Sequence, residues 1–186
     1  MSAARRLCVF CGSSLPEETR YRDAATQLGA LLGRAGIELV YGGGRVGLMG
    51  LVADAALRAG ARVTGVIPLH LHDRELAHDG VSELIVVRDM HERKRRMFEL
   101  SHGVAILPGG LGTLDEAFEA ITLCQLGVTA IPIALVNIAG FWDPLLALID
   151  RVVEAGFARP EARALYRVIA TVDDVIPSCF GPDAAG

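Results

Sequence analysis

Two cations stand where charge is costly, and they are the first candidates for chemistry. At 3.6 residues per turn, the segment 90–101 forms a predicted helix whose apolar stripe includes Met90 and Met97. Arg93 and Lys94 fall inside that stripe, where a charge needs a partner or a ligand. Either the two side chains extend to solvent along the edge of the stripe, or they face a phosphate or a carboxylate. Lys94 is also the only lysine in the chain.

A candidate carboxylate is Glu116, which follows Thr113 at the spacing of a helix capping box. In that interpretation Thr113 is the N-cap of a helix over 113–126, and Glu116 reaches back to the Thr113 amide. The same helix is apolar on almost every side, so we expect it to be largely buried. Glu116 would then line a cleft at the mouth of the helix, and the two interpretations are compatible.

Two glycine-rich loops, over 42–50 and 108–116, each follow an apolar strand and precede a helix. Glycines let backbone N–H groups close on an anion, and the N-terminus of the following helix adds roughly half a positive charge. One such loop is weak evidence, because glycine turns also simply connect strands to helices. Two loops in one small domain predict a phosphorylated ligand.

Neither loop completes a common nucleotide fingerprint. Gly42, Gly44 and Gly47 match G-x-G-x-x-G. The next predicted strand ends with residues 65–68, which include no acidic residue that could bind the ribose of NAD. The second loop lacks the Gly-Lys-Ser/Thr of a Walker loop, which argues against ATP or GTP hydrolysis.

Strands and helices alternate along the chain, and the strands are continuous apolar runs, as in parallel sheets covered on both faces. The fold class is therefore α/β, a doubly wound Rossmann-like parallel sheet with helices on both faces. We expect an N-cap at Asp143, before Pro144. The predicted strands cover 6–12, 37–41, 61–67, 83–88, 103–107, 131–136 and 167–171, and the predicted helices cover 17–35, 47–59, 90–101, 113–126 and 143–155.

Composition bounds the class of protein. The chain has 186 residues, of which 52% are hydrophobic, which suits one nucleotide-binding domain over 1–180 with a flexible tail over 181–186. A net charge of −4 argues against a nucleic-acid partner. The sequence lacks an apolar run near the roughly 20 residues of a membrane span and a secretory signal pattern, so we expect no membrane partner and a cytoplasmic location.

The cysteines and histidines suggest no metal site. Cys8 and Cys11 form a C-x-x-C pair that could be redox-active or metal-binding, but they lie in the first predicted strand with no second cluster nearby. We expect them to be small buried hydrophobic residues. His70 and His72 lie in a polar loop and are expected to be solvated rather than metal-bound.

Combined, these motifs resemble the LOG family, the cytokinin riboside 5′-monophosphate phosphoribohydrolases. The resemblance covers nearly the whole chain. It rests on Gly-Gly-Gly-x-x-Gly-Leu-Met-Gly at 42–50, Met-His-Glu-Arg-Lys at 90–94, Pro-Gly-Gly-x-Gly-Thr-x-x-Glu at 108–116, Cys-Gly-Ser-Ser at 11–14, and Thr122 with Gln-Leu-Gly at 125–127.

The resemblance implies a set of site residues, with Arg93 and Glu116 as the catalytic pair. It also implies a homodimer with helices beside the second loop at its interface, a nucleoside 5′-monophosphate such as AMP as substrate, and no metal or organic cofactor. The implied substrate contacts are Glu75, Arg93, Lys94, Gly110, Leu111, Gly112, Thr113, Leu114, Asp115, Glu116 and Thr122, and further candidate nucleotide contacts are Ser13, Gly43, Gly44 and Met49.

The implied reaction is hydrolysis of the N-glycosidic bond of (N6-prenyl)adenosine 5′-monophosphate, giving the free base and ribose 5-phosphate. A carboxylate suits this chemistry because the transition state carries positive charge on the ribose. Two alternatives remain, a non-catalytic nucleotide-binding or carrier protein and a lysine decarboxylase. The latter requires a Schiff-base lysine for which only Lys94 is available.

Overall fold

A computed structural model describes residues 4–72 and 76–185, and it confirms the doubly wound α/β prediction. Within these ranges, seven parallel strands form one sheet in the order β4-β3-β2-β1-β5-β6-β7. The order reverses between β1 and β5, which is the switch point where ligands bind in such sheets. The strands are β1 (Arg6–Phe10), β2 (Glu38–Tyr41), β3 (Val63–Pro68), β4 (Glu83–Val87), β5 (Gly103–Ile106), β6 (Ile133–Val136) and β7 (Arg167–Ile169).

Helices cover both faces of the sheet, which is why its central strands are apolar on both sides. Every residue of β5 and of β6 is buried. One apolar core lies beneath α1, α2 and α7, and a second lies beneath α4, α5 and α6. The helices are α1 (Thr19–Arg34), α2 (Gly47–Arg58), the short α3 (Leu69–Leu71), α4 (Met90–Glu99), α5 (Leu111–Gln125), α6 (Asp143–Glu154) and α7 (Val175–Phe180).

Helices α1 and α2 approach each other closely because α1 presents glycines at their contact. A Cβ atom on Gly29 would lie 2.3 Å from the carbonyl oxygen of Val52, and one on Gly33 would lie 2.4 Å from the Cβ of Ala59. This contact fixes the position of α2. The first residue of α2, Gly47, has a φ of +69° and packs against the backbone of Ser13.

Two predicted helix starts are wrong. Helix α5 begins at Leu111 with Gly110 as its N-cap, so Thr113 lies within the first turn and does not cap the helix through its side chain. Helix α6 has Trp142 at its N-cap, and Asp143 is already the first helical residue. The N-cap of α5 is thus three residues before the predicted cap, and the N-cap of α6 is one residue before it.

The expected burial of the helix over 113–126 is also wrong for the single chain. Only one face of α5 is buried, and it carries Thr113 and Glu116 with three apolar residues. On the opposite side, Leu111 is 85% exposed and Phe118 is 42% exposed. The apolar character that suggested burial on all sides therefore leaves an apolar surface on α5.

Cysteine burial is as expected. Cys8 and Cys11 are buried free thiols, and burial raises the pKa of both well above the ordinary value. Within the described ranges no three His, Cys, Asp or Glu side chains group as metal ligands. The helices in these ranges all lack the length and apolar character needed to span a bilayer. The described chain ends in a short 3₁₀ helix at Pro182–Ala185.

Candidate functional site

Arg93 is the best-anchored side chain of the site. It is 6% exposed, and its Nη2 donates a hydrogen bond to the carbonyl oxygen of Gly42 at 2.8 Å. Its Nε donates to the carbonyl oxygen of Val66 at 3.1 Å. These bonds tie α4 to the carboxyl ends of β2 and β3. The predicted placement of Arg93 on a buried face is confirmed, and solvation along the helix edge is excluded.

Glu116 faces Arg93 across a buried gap. Its side chain is buried, and its Oε1 lies 3.8 Å from Nη1 of Arg93, beyond hydrogen-bond range. Burial raises the pKa of Glu116 to about 7, and the positive charge of Arg93 only partly opposes that rise. Burial also lowers the pKa of Arg93. Glu116 is therefore a carboxyl group that exchanges protons near neutral pH, as a catalytic acid or base must.

Lys94 follows Arg93 in sequence but serves a different cluster. Its Nζ lies 2.7 Å from Oδ2 of Asp115 and also forms an ion pair with Glu119. Burial alone would lower the pKa of Lys94, but the bonds to the two carboxylates outweigh it and the pKa is raised. This cluster borders a groove of about 350 Å³ that Thr122 also lines, on a different face of α5 from Glu116.

The N-terminus of α5 is uncapped and has free backbone amides. Gly110 provides no side-chain cap, and a Cβ at Gly110 or Gly112 would meet open space. Among the described residues the amides of Leu111, Gly112 and Thr113 have no hydrogen-bond acceptor. Three free amides and the helix dipole make a site for a phosphate group.

A cleft of about 240 Å³ opens beside this helix start, at the switch point of the sheet. The backbone joins its walls: the amide of Gly12 donates to Pro108 at 3.1 Å, and the amide of Leu48 donates to Gly12 at 2.9 Å. Its lining consists of the predicted contact Ser13 together with Gly12, Ser14, Pro16, Tyr21, Leu48, Pro108, Gly109, Gly110 and Phe141. Tyr21 and Phe141 were not predicted, because residues 120 positions apart give no local signal of a shared wall.

The first glycine loop packs directly on Arg93. A Cβ on Gly42 would lie 1.9 Å from Nη2 of Arg93, so only glycine leaves room for the guanidinium. Gly43 has a φ of +75°. The sulfur of Met49 lies 4.0 Å from Nη2 of Arg93, and a Cβ on Gly44 would lie 3.7 Å from that sulfur. The loop thus forms one wall around the guanidinium of Arg93.

The structure brings together only part of the predicted set. Arg93 lies beside Glu116 and in contact with Met49. Lys94, Asp115 and Thr122 instead line a groove on another side of α5. Leu114 packs against the second core. Glu75 lies outside the described residues. The roles of these residues stay predictions.

Known families and proteins match the chain closely. The family described as "Possible lysine decarboxylase" matches residues 49–179. The probable cytokinin riboside 5′-monophosphate phosphoribohydrolase LOGL2 of Oryza sativa subsp. japonica is 47% identical over 175 residues, covering 94% of this chain and 72% of that protein. The cytokinin riboside 5′-monophosphate phosphoribohydrolase LOG1 of Arabidopsis thaliana is 43% identical over 183 residues, covering 95% and 86%.

Solved structures share the fold at low sequence identity. The molybdenum cofactor binding protein of Rippkaea orientalis aligns with a TM-score of 0.69 at 21% identity and covers 94% of each chain. The molybdenum cofactor carrier protein of Chlamydomonas reinhardtii aligns with a TM-score of 0.67 at 21% identity and covers 92% of each chain. At this identity they show a common fold and nothing about the ligand.

Proposed function

This chain belongs to the LOG family of cytokinin riboside 5′-monophosphate phosphoribohydrolases, and we propose that it hydrolyses the N-glycosidic bond of an (N6-prenyl)adenosine 5′-monophosphate. The products are the free base and ribose 5-phosphate. One observation carries the proposal: a buried carboxyl group with a pKa of about 7 lies beside a buried arginine and one turn from an open helix N-terminus.

The 5′-phosphate occupies the open amides of Leu111, Gly112 and Thr113. This contact binds the ground state and orients the ribose toward Glu116, one helical turn further along α5. Because the nucleoside lacks the phosphate, it loses that orientation. The site therefore selects nucleotides over nucleosides.

Glu116 acts on the ribose face. As the C1′–N bond breaks, its electron pair leaves with the base and positive charge develops on the ribose. The carboxylate of Glu116 stabilises that charge and accepts a proton from the attacking water, whose oxygen bonds to C1′. The departing nitrogen takes up a proton from solvent, and Glu116 returns the proton that it accepted to solvent, which balances the reaction. A carboxyl group with a pKa of about 7 can hold and release this proton at neutral pH.

Arg93 positions Glu116 and does not transfer a proton. A guanidinium stays protonated in proteins, and two backbone carbonyls fix its plane. Its charge lies 3.8 Å from Glu116, close enough to favour the carboxylate without engaging it in a direct hydrogen bond. The carboxylate is therefore free to meet the substrate.

Lysine decarboxylation is poorly supported by the environment of Lys94. Schiff-base formation requires a neutral amine, and the only lysine of the chain is an ion-paired ammonium whose pKa is raised. A non-catalytic carrier is the remaining alternative. It would use the same loops to bind a nucleotide but would release no base.

The direct test compares base release from isopentenyladenosine 5′-monophosphate and from AMP. Wild type, Glu116→Gln and the neighbouring control Asp115→Asn are assayed by chromatography of the free base and ribose 5-phosphate. We expect turnover by wild type and by Asp115→Asn but not by Glu116→Gln, and the substrate ratio sets the preference for the N6 substituent. Nucleotide binding without base release by wild type would favour the carrier.

The apolar surface of α5 supports a homodimer. Leu111, Phe118 and Leu126 are 85%, 42% and 69% exposed and recur at steps of seven and eight residues along one stripe, which Val128 extends at 68% exposed. Exposed apolar patches of this kind mark protein interfaces. Thr122 lies on the same side of α5, so a second protomer seated there would bring Thr122 into the assembly.

Sedimentation velocity tests this interface. Phe118→Asp should yield monomers, because it places a charge in the proposed contact. The matched control is Phe157→Asp, which changes a phenylalanine that is 86% exposed and follows α6, outside the stripe. A dimer that persists in Phe118→Asp would exclude this surface as the interface.

A further inference from the structure

A segment distant in sequence is pinned onto the first glycine loop. The amide of Arg45 donates to the carbonyl oxygen of Leu76 at 3.0 Å, and the amide of His78 donates to the carbonyl oxygen of Gly43 at 2.9 Å. Between them, Gly44 and Ala77 form an antiparallel bridge. Residues 76–80, called here the clamp segment, therefore extend the wall that the glycine loop forms around Arg93.

The ring of His78 holds the clamp segment at both of its nitrogens. Nδ1 accepts a hydrogen bond from the amide of Gly80 at 3.2 Å, which places the ring proton on Nε2. Nε2 lies 3.0 Å from Oδ1 of Asp54, a residue of α2, and donates to it. The His78 side chain is only 14% exposed. The imidazole thus links the clamp segment to the helix that follows the glycine loop.

The direction of a bound nucleotide places its base near this wall. The phosphate lies at the amides of 111–113 and the reacting C1′ lies at Glu116, so the base extends from Glu116 away from the start of α5. Arg93 lies 3.8 Å from Glu116 and donates to the carbonyl oxygen of Gly42, and the clamp segment is hydrogen-bonded to the same glycine loop. The base-side wall is therefore built from two strips of backbone, one of which is held by His78.

We propose that His78, fixed by Asp54, is a positioning residue that holds the clamp segment against the adenine-type base of the substrate. This inference rests on the proposed function, because the phosphate and ribose positions set where the base lies. Loss of the imidazole removes the link between the clamp segment and α2, so that only backbone hydrogen bonds to the glycine loop still hold the segment. The phosphate site and the Arg93–Glu116 pair stay in place. Affinity for the base portion falls, while affinity for the ribose 5-phosphate portion is kept.

Binding of AMP and of ribose 5-phosphate separates these two portions, because the second ligand has no base. Calorimetric titrations on the Glu116→Gln background avoid turnover. We expect His78→Ala and Asp54→Ala each to raise the Kd of AMP about tenfold and to change the Kd of ribose 5-phosphate less than about twofold. The double variant should be no worse than either single variant, because the two residues act as one unit.

Two further variants guard the interpretation. His78→Gln keeps a donor that can reach Asp54, so it should restore most of the AMP affinity. Asp150→Ala removes a surface carboxylate of α6 that pairs with Arg163 at 2.5 Å. This variant should change neither the Kd of AMP nor the Kd of ribose 5-phosphate. If His78→Ala fails to fold, Asp54→Ala carries the same comparison.

An equal loss of affinity for AMP and ribose 5-phosphate would overturn the proposal, since it would mean a general loss of structure. Unchanged AMP binding would overturn it as well. Failure of the proposed function has a different signature, namely no base release by the wild-type protein in the chromatographic assay, whatever the ratio of the two binding constants.

Discussion

Helices α4 and α5 meet at two ion-pair clusters built from consecutive residues, and the clusters behave differently. Arg93 and Lys94 are each 6% exposed. Lys94 has a carboxylate at 2.7 Å and a second one in contact, whereas Arg93 donates to two backbone carbonyls and leaves Glu116 at 3.8 Å. The pKa of Lys94 is raised, and the pKa of Glu116 is also raised, to about 7.

The difference shows how a fold gives two consecutive cations different partners. In the lysine cluster, Asp115 and Glu119 of α5 neutralise the charge of Lys94 of α4, and these ion pairs join the two helices. In the arginine cluster, Arg93 donates its hydrogen bonds to backbone carbonyls. The negative charge of the buried Glu116 carboxylate is therefore only partly compensated. A carboxyl group left in that state is costly in the free protein, and its raised pKa suits it to proton transfer.

The largest expected effect comes from replacing each of the two neighbouring carboxylates, Glu116 and Asp115, by its amide in a separate variant. Glu116→Gln should lower kcat by about 10³-fold or more, because it removes the proton acceptor while preserving shape. Asp115→Asn should lower kcat by less than about fivefold, because Asp115 faces solvent and Lys94. Steady-state base release measures both. Equal losses would show that the two clusters work as one.

A second comparison replaces each of the two cations, Arg93 and Lys94, by methionine in a separate variant. Arg93→Met should lower kcat/KM by about 10²-fold, because Glu116 loses its nearby charge and two buried carbonyls lose their donor. Lys94→Met should lower kcat/KM by about tenfold or less, since its partners Asp115 and Glu119 can turn to solvent. A larger loss for Lys94→Met would reverse the assignment of the two clusters.

The pH dependence of kcat/KM should follow Glu116. If the carboxylate is the reactive form, kcat/KM falls about tenfold for each pH unit below about 7. Because the charge of Asp115 helps to raise the pKa of Glu116, Asp115→Asn should shift the midpoint to lower pH. The substrate phosphate also titrates, near pH 6, but equally for both proteins. A midpoint unmoved by Asp115→Asn would place the titration on the substrate.

The last comparison concerns stability without ligand. Burial raises the pKa of Glu116 from 4.5 to about 7 in the folded protein, so ionisation favours the unfolded chain. Its contribution is complete below about pH 4 and is lost as pH rises through 7, at about 3 kcal/mol. Urea unfolding at pH 5 and pH 8 should show this loss in wild type relative to Glu116→Gln. Parallel pH curves for the two proteins would mean that Glu116 ionises normally.

The sequence predicted the fold and the buried pair of cations better than the helix ends. Continuous apolar strands and a 3.6-residue stripe depend on local periodicity, which the chain displays directly, and Arg93 was found in this way. Thr113 was misplaced because a Thr-x-x-Glu spacing looks the same whether the threonine caps the helix or lies two residues inside it.

Features that depend on the approach of two elements were beyond local patterns. Nothing in the run Arg93-Lys94 indicates which cation meets Glu116 and which meets Asp115, because the crossing of α4 and α5 decides it. The contact of His78 with Asp54 likewise joins a loop to a helix across 24 positions. The exposed side of α5 was missed because apolar composition does not distinguish a core from an interface.

The glycine contact between α1 and α2 limits which substitutions related sequences can accept in these helices. A side chain at Gly29 or Gly33 would collide with α2, and any shift of α2 would carry Gly47 and the glycine loop with it. Mutations there would erode activity without touching a ligand, and a second substitution in α2 would be needed to recover it. In a random mutant library, positions 29 and 33 should therefore tolerate change only in combination with positions 52 to 59.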